Sequence, residues 1–395
     1  MYGRGMAGRR AWWLGVWIAA VGCGDREVAV NGTDETGASD ESGALDDPLS
    51  PCMVAIEIDP DFCRVLSTGL LLRTTDAGVV AEQLDDDGGR TFVATLPDTS
   101  ECPHVLAHDP VQAKLWWAEG NATVHQLDLA GGSQDWQRFL GDPNGHTVPW
   151  VFDLRALDGA LFVAGSYEAA ESGVLGPALL TRLELDGTLA WTRSDLPGYG
   201  FSEANDGSPL DGIQSLFELD TGLGLVGGMY GVDSEALTLA VVAPATGEQV
   251  WSESLIRDTY GYGVRVDGYA GLIASSITEL GPEPDLEVVA EVVVRSATNA
   301  VLASFARTWP DPSWSPTLPV YVVGERIAEF VPDPLEPTVV ERDASGAVLC
   351  TTPLPELAVP DAGPFAGPSV SPIAGVGLVI RTAVGEDRRA FLLRR

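Results

Sequence analysis

Val151–Tyr167 reads VFDLRALDGALFVAGSY, and Ala178–Ser194 follows as ALLTRLELDGTLAWTRS. Each segment is a pair of short apolar runs around an Asp-Gly dipeptide, Asp158-Gly159 in one and Asp186-Gly187 in the other. That dipeptide supplies the positive-φ positions of a tight hairpin turn, so the two segments predict four consecutive antiparallel strands. The pattern returns in Ile213–Tyr230, IQSLFELDTGLGLVGGMY, and Leu237–Ser254, LTLAVVAPATGEQVWSES. Trp191 and Trp251 occupy the same place in the two units, on the fourth strand just past its turn. Helical periodicity is nearly absent after Pro51, and the body reads as all-β.

With this template, further units fall at Cys63–Leu96, His104–Leu140, Tyr262–Phe305 and Val320–Thr352. The last stretch, Ser369–Arg395, holds only three strands. Its missing fourth is supplied if Cys52–Ile58 pairs against Phe391–Arg395, which leaves no open sheet edge at the seam. Repeats of about 45–55 residues are the signature of radially stacked blades. The expectation for 52–395 is therefore a β-propeller of about seven four-stranded blades, closed by pairing the N-terminal strand with the C-terminal blade. A pair of β-sandwiches is the rival all-β reading.

The elements Asp186-Gly187-Thr188-Leu189-Ala190-Trp191 and Thr246-Gly247-Glu248-Gln249-Val250-Trp251 resemble the repeat of pyrroloquinoline-quinone-type (PQQ-like) propellers. The resemblance implies that these tryptophans dock between neighbouring blades. Enzymes of that family carry a vicinal disulfide beneath the quinone, and this chain has no Cys-Cys pair, so no cofactor is expected. The family also includes a cofactor-free outer-membrane lipoprotein that scaffolds membrane-protein assembly. The chain looks like that class in length and anchoring.

The anchoring is read from the N-terminus. Arg4, Arg9 and Arg10 head a short apolar run, Ala11–Gly22, in the layout of a secretory signal peptide too short to span a bilayer. The ending Ala20-Val21-Gly22-Cys23 resembles the bacterial lipobox, which implies cleavage before Cys23 and its diacylation. Ala20 departs from the usual leucine, so ordinary signal cleavage nearby stays open. Residues 23–51 hold eight acids, Asp25 to Asp47, among Gly, Ser, Thr and Ala. Such a segment cannot bury enough apolar surface to order itself, and its like charges keep it extended. The expected plan is a signal peptide at 1–22, an acidic tether at 23–51 and a propeller at 52–395, lipid-anchored at the bacterial outer membrane or cell surface.

The formal charge of −34 argues against nucleic acid and anionic lipid surfaces as partners, since both need basic patches. Besides Cys23 there are Cys52, Cys63, Cys102 and Cys350, compatible with two disulfides in an exported chain. Three pairings exist; Cys63 with Cys102 is favoured if they start adjacent inner strands.

One pattern in the chain points to binding chemistry. Gly222-Leu223-Gly224-Leu225-Val226-Gly227 matches the dinucleotide fingerprint in letters, but it bridges two predicted strands with no helix to meet a pyrophosphate. His104, His108, His125 and His146 cluster in the second unit, yet strand spacing sets His104 and His108 too far apart for one ion, so no metal is expected. No nucleophile elbow occurs. In a propeller, however, the loops from the fourth strand of one blade to the first of the next share one face. Here they carry His146, Trp150, Tyr199, Phe201, Tyr260, Tyr262, Trp309 and Trp314, interleaved with carboxylates. Such a face suits an envelope protein or a glycan. The leading expectation is a non-catalytic binding or scaffolding module. The alternatives are a carbohydrate-active enzyme using Asp195, Glu203, Asp206 and Asp211, or a surface lipoprotein without a compact ligand.

Overall fold

The computed structural model describes residues 52–394, apart from residues 98, 120–121, 142–146, 170–174, 197–211, 232–233, 256–262, 281–287, 310–317, 332–335, 359–368 and 383–387. Its described residues form a seven-bladed β-propeller. Blade 1 is β2 (Arg64–Val65), β3 (Leu70–Thr75), β4 (Gly78–Leu84) and β5 (Arg90–Thr95); blade 2 is β6 (Leu106–Asp109), β7 (Lys114–Glu119), β8 (Thr123–Asp128) and β9 (Ser133–Phe139). Blade 3 is β10 (Thr147–Leu157), β11 (Ala160–Ala169), β12 (Leu175–Glu184) and β13 (Leu189–Arg193). Blade 4 is β14 (Gly212–Leu219), β15 (Gly222–Gly231), β16 (Ser234–Val242) and β17 (Gln249–Ser254). Blade 5 is β18 (Gly263–Ala270), β19 (Leu272–Leu280), β20 (Val288–Ser296) and β21 (Val301–Trp309). Blade 6 is β22 (Val320–Val323), β23 (Arg326–Val331), β24 (Thr338–Arg342) and β25 (Val348–Pro353). Blade 7 joins β26 (Ser369–Ile373), β27 (Gly377–Arg381) and β28 (Ala390–Arg394) to β1 (Val54–Ile58).

The ring shuts at the expected seam. β1 runs antiparallel to β28, from Val54 opposite Arg394 to Ile58 opposite Ala390. The core confirms closure independently, because it is not one mass but seven clusters, each shared by two adjacent blades. Ile58, Phe62, Leu71 and Leu392 fill the cluster across the seam. The first strand of each blade lies innermost, β26 taking that place in blade 7, where β1 is outermost. The inner strands β14 and β18 touch directly, in a short parallel pairing of Glu218 with Tyr269 and Leu219 with Ala270.

The quoted hairpins form as their turn residues require. Asp158 and Gly159 both take positive φ, 53° and 70°, and Asp186-Gly187 closes β12 onto β13. The Gly222–Gly227 stretch lies wholly within β15, a strand.

Outer strands reach across to the next blade in a repeated way. The Trp136 ring of β9 covers Gly187 in the following blade's outer turn, and its Nε1 donates to the Leu185 carbonyl at 2.8 Å. Trp191 covers Gly247 likewise, and Trp251 Nε1 donates to the Ala297 carbonyl at 3.0 Å. A Cβ on Gly187 would fall 2.8 Å from the Trp136 ring, so glycine there is a packing requirement as well as a turn requirement (φ 79°).

Two disulfides join blades. Cys63 bonds Cys102, linking the segments that precede the inner strands of blades 1 and 2, and Cys52 bonds Cys350 of β25.

Candidate functional site

The aromatic face expected from the sequence is mostly not described. His146, Tyr199, Phe201, Tyr260, Tyr262 and Trp314 lie outside the described residues, as do Glu203, Asp206 and Asp211. Two of the expected loop aromatics belong to strands instead. Trp150 lies inside β10 opposite Ser166, because that strand begins at Thr147, and Trp309 is the last residue of β21. Asp195 is exposed on the surface, where Arg193 Nε donates to its carboxylate at 2.8 Å and holds its pKa below the usual range.

The histidines have separate partners. His104 Nδ1 lies 3.0 Å from an Arg64 guanidinium nitrogen, and His125 stacks on Trp117 with ring centroids 4.9 Å apart. His108 Nδ1 lies 2.7 Å from Thr68 Oγ1, and burial pushes its pKa down to about 4, leaving the ring neutral. Among the described residues, no three His, Cys, Asp or Glu side chains converge on a metal-sized space.

The described site is at the other end of the inner strands. A cavity of about 790 Å³ opens where those strands run into their first hairpin turns. Its wall includes Ser67 and Thr68 of blade 1, His108 of blade 2, Arg155 of blade 3, Glu218 of blade 4 and Tyr269 of blade 5. Arg155 organises it. Its Nη1 donates to Ser67 Oγ at 2.9 Å, reaching from blade 3 to blade 1, while Nη2 lies 3.8 Å from Glu218 in blade 4. One guanidinium therefore spans three blades around the axis.

Below it, two aspartates tie inner strands together. Asp153 accepts the amide of Leu216 on β14 at 2.7 Å, from blade 3 to blade 4. Asp267 accepts the amide of Val322 on β22 at 2.8 Å, from blade 5 to blade 6. Both are walled in by protein though partly exposed, and burial pushes the pKa of each up to about 6. The amides they accept, and Arg155, pull the other way without overcoming it. Tyr321 donates from its hydroxyl to the Val370 carbonyl at 3.0 Å, joining blades 6 and 7. The arrangement is a rigid, polar-floored pocket that can hold a ligand by hydrogen bonds from a fixed cation, neutral donors and acceptors. Sequence reasoning missed Arg155, Asp153 and Asp267. Their signal was present as charges inside otherwise apolar inner strands, VFDLRAL and VRVDGYA.

No protein-family model and no curated protein sequence matches the chain. Solved propeller-type structures resemble it weakly. BamB from Moraxella catarrhalis is 11% identical with a TM-score of 0.44, over 87% of this chain and 99% of that one. Hydrazine synthase from Kuenenia stuttgartiensis is 12% identical with a TM-score of 0.49, over 91% and 99%. The WD40 domain of SCAP from fission yeast is 11% identical with a TM-score of 0.43, over 87% and 98%. The propeller assignment stands on this chain's own strand order and closure.

Proposed function

We propose that this chain is an exported, lipid-anchored propeller of PQQ-like type that binds an envelope protein without catalysis, at the hairpin-face mouth of its channel. The observation that carries the reading is the 790 Å³ cavity spanned by Arg155. A concave, preformed site with few convergent polar groups is the general form of a binding pocket. The inner strands that line it are fixed by inter-blade bonds, so a partner segment entering it meets a surface that needs no ordering. The leader and Cys23 support the anchor and, with it, a location at the outer membrane or cell surface.

The test compares chemical cross-linking capture from detergent-solubilised envelope by the full chain and by an Arg155→Glu variant. The expected result is a stoichiometric protein captured by the wild type and reduced at least tenfold by the variant. Equal capture by both moves the site off the channel, and enrichment of glycan instead of protein replaces the partner class. Intact-mass measurement of the mature chain tests the anchor: a diacylated N-terminal Cys23 is expected, and an unmodified chain cleaved elsewhere overturns it.

A further inference from the structure

The N-terminal end of the described chain is fastened to a different blade from the one its first strand completes. β1 is the outermost strand of blade 7 and, among the described residues, pairs along one edge, with β28. Immediately before it, Cys52 is bonded to Cys350, in the middle of the outermost strand of blade 6, with Cα atoms 5.7 Å apart. Met53 adds three further attachments to that blade. Its amide donates to Glu341 Oε1 at 2.7 Å, and its carbonyl accepts from Thr352 Oγ1 at 3.1 Å. Its side chain, 2% exposed, fills the core cluster between blades 6 and 7 with Val323, Phe330 and Leu393. Glu341 is itself the cross-strand neighbour of Cys350 and is held by Arg326 at 3.0 Å.

We propose that Cys52–Met53 is a tension clamp: force arriving through the N-terminal chain passes across the Cys52–Cys350 bond into blade 6 and bypasses β1. Without the clamp, the same force would act on the Val54 end of β1, an edge strand whose ladder opens one pair at a time. Losing β1 would uncover the hydrogen-bonding edge of β28 and open the ring. Covalent attachment just upstream converts that weak peeling geometry into loading of a strand already built into its own four-stranded sheet. The use of such a clamp in a cell rests on the anchor proposed above, because a lipid at Cys23 and a partner on the propeller would pull against each other.

Single-molecule force measurement on the full chain tests it, with one handle at the N-terminus and the other at Asp186, an exposed turn residue of blade 3, through a bioorthogonal side chain. In a Cys63→Ser/Cys102→Ser background the clamp is the disulfide that remains within the propeller. Release of Cys52–Ile58 lengthens the chain by about 2.5 nm, at roughly 3.3–3.6 Å per residue. The oxidised chain is expected to show no such step before the ring ruptures. Adding a phosphine reductant to the folded, tethered molecule is expected to bring the step in at a severalfold lower force. A step already present in the oxidised chain, or absent after reduction, overturns the clamp. A second readout pulls the Cys52→Ser/Cys350→Ser variant in the same way: the step of about 2.5 nm is expected at the low force seen after reduction, and its absence overturns the clamp. Hydrogen exchange at Phe391–Arg394 near the wild-type rate at zero force shows that the unclamped ring is closed. Because neither readout involves a ligand, failure here leaves the binding proposal standing, and loss of partner capture leaves the clamp standing.

Discussion

Glu329 and Glu341 lie between the outer parts of blades 5, 6 and 7, both fully buried, and each is matched by guanidinium groups. Glu329 accepts from Arg307 of blade 5 at 2.9 Å and from Arg342 beside it, which also lies over the Phe305 ring at 4.1 Å. Asp153 and Asp267, near the axis, tie blades with backbone amides instead, and share only the field of Arg155. Both pairs join neighbouring blades, but the outer pair does so with compensated charge and the inner pair with charge the surroundings disfavour. A channel wall can tolerate the second arrangement because its aspartates keep partial exposure. A blade interface cannot, and there the acids come with their arginines.

Breaking the compensated pair is expected to have the largest effect. Glu329→Ala leaves Arg342 and Arg307 facing an emptied interior, and removing one partner of a buried ion pair costs about 3–5 kcal/mol. The urea midpoint of the full chain measures it. A change below 1 kcal/mol would mean that the arginines escape to water and that the interface is looser than its burial indicates.

The uncompensated pair is expected to show itself through pH. Each aspartate has a folded pKa near 6 against an ordinary value of 3.8, so the folded state holds more protons between those values. Their contribution to stability then rises as pH falls from 8 towards 5, and ionisation costs the fold progressively as pH climbs through 6. The two groups together are expected to contribute about 2–3 kcal/mol more at pH 5 than at pH 8, opposed by His108, whose pKa is depressed from 6.5 to about 4 and which takes back about 2 kcal/mol over the same window. Below pH 4 the sign reverses, because Asp135, Asp186, Asp195 and Asp343 have depressed values and lose their partners on protonation. The inner pair is isolated by comparing wild type with Asp153→Asn/Asp267→Asn: a stability difference between them that stays the same from pH 8 to pH 5 would contradict the inner-pair account. Glu341→Gln falls next: it keeps an acceptor for the Met53 amide but leaves Arg326 unmatched, a charged hydrogen bond of about 1.5–3 kcal/mol.

These differences also mark what the sequence could say. The strands, their turns and the closure were legible because each depends on local rules: alternation, Asp-Gly at positive φ, and a unit one strand short. The repeated position of Trp191 and Trp251 was legible, while their docking between blades was expected only from the resemblance to PQQ-like repeats. Trp136 performs the same task in a unit whose longer turn, Ala130-Gly131-Gly132-Ser133, obscures the match. The channel site was not legible, since Ser67, Arg155 and Glu218 come from three different blades and meet only through ring geometry. Loop composition drew attention to the opposite face, where aromatics are dense in sequence. The pairing of Cys52 with Cys350 was hidden for the same reason: 298 residues separate them, and only ring closure makes them neighbours.

The comparison sharpens most at Asp267→Asn. Asparagine keeps an acceptor for Val322 but cannot ionise, so at pH 8 the variant is expected to be more stable than wild type by about 1 kcal/mol, the relief of charge less one weakened hydrogen bond. At pH 5, where the native aspartate is mostly protonated, the two proteins should converge or the variant should fall slightly below. A constant offset at both pH values would show that Asp267 acts through hydrogen-bond geometry alone. Asp195→Ala provides the exposed counterpart, since it removes an ion pair with Arg193 that lies in solvent. Exposed pairs contribute little, and the denaturation midpoint is expected to match wild type within measurement error at either pH. If that variant moved stability as much as Asp267→Asn, position in the ring would not be what governs these carboxylates, and the contrast between channel wall and blade interface would lose its physical basis.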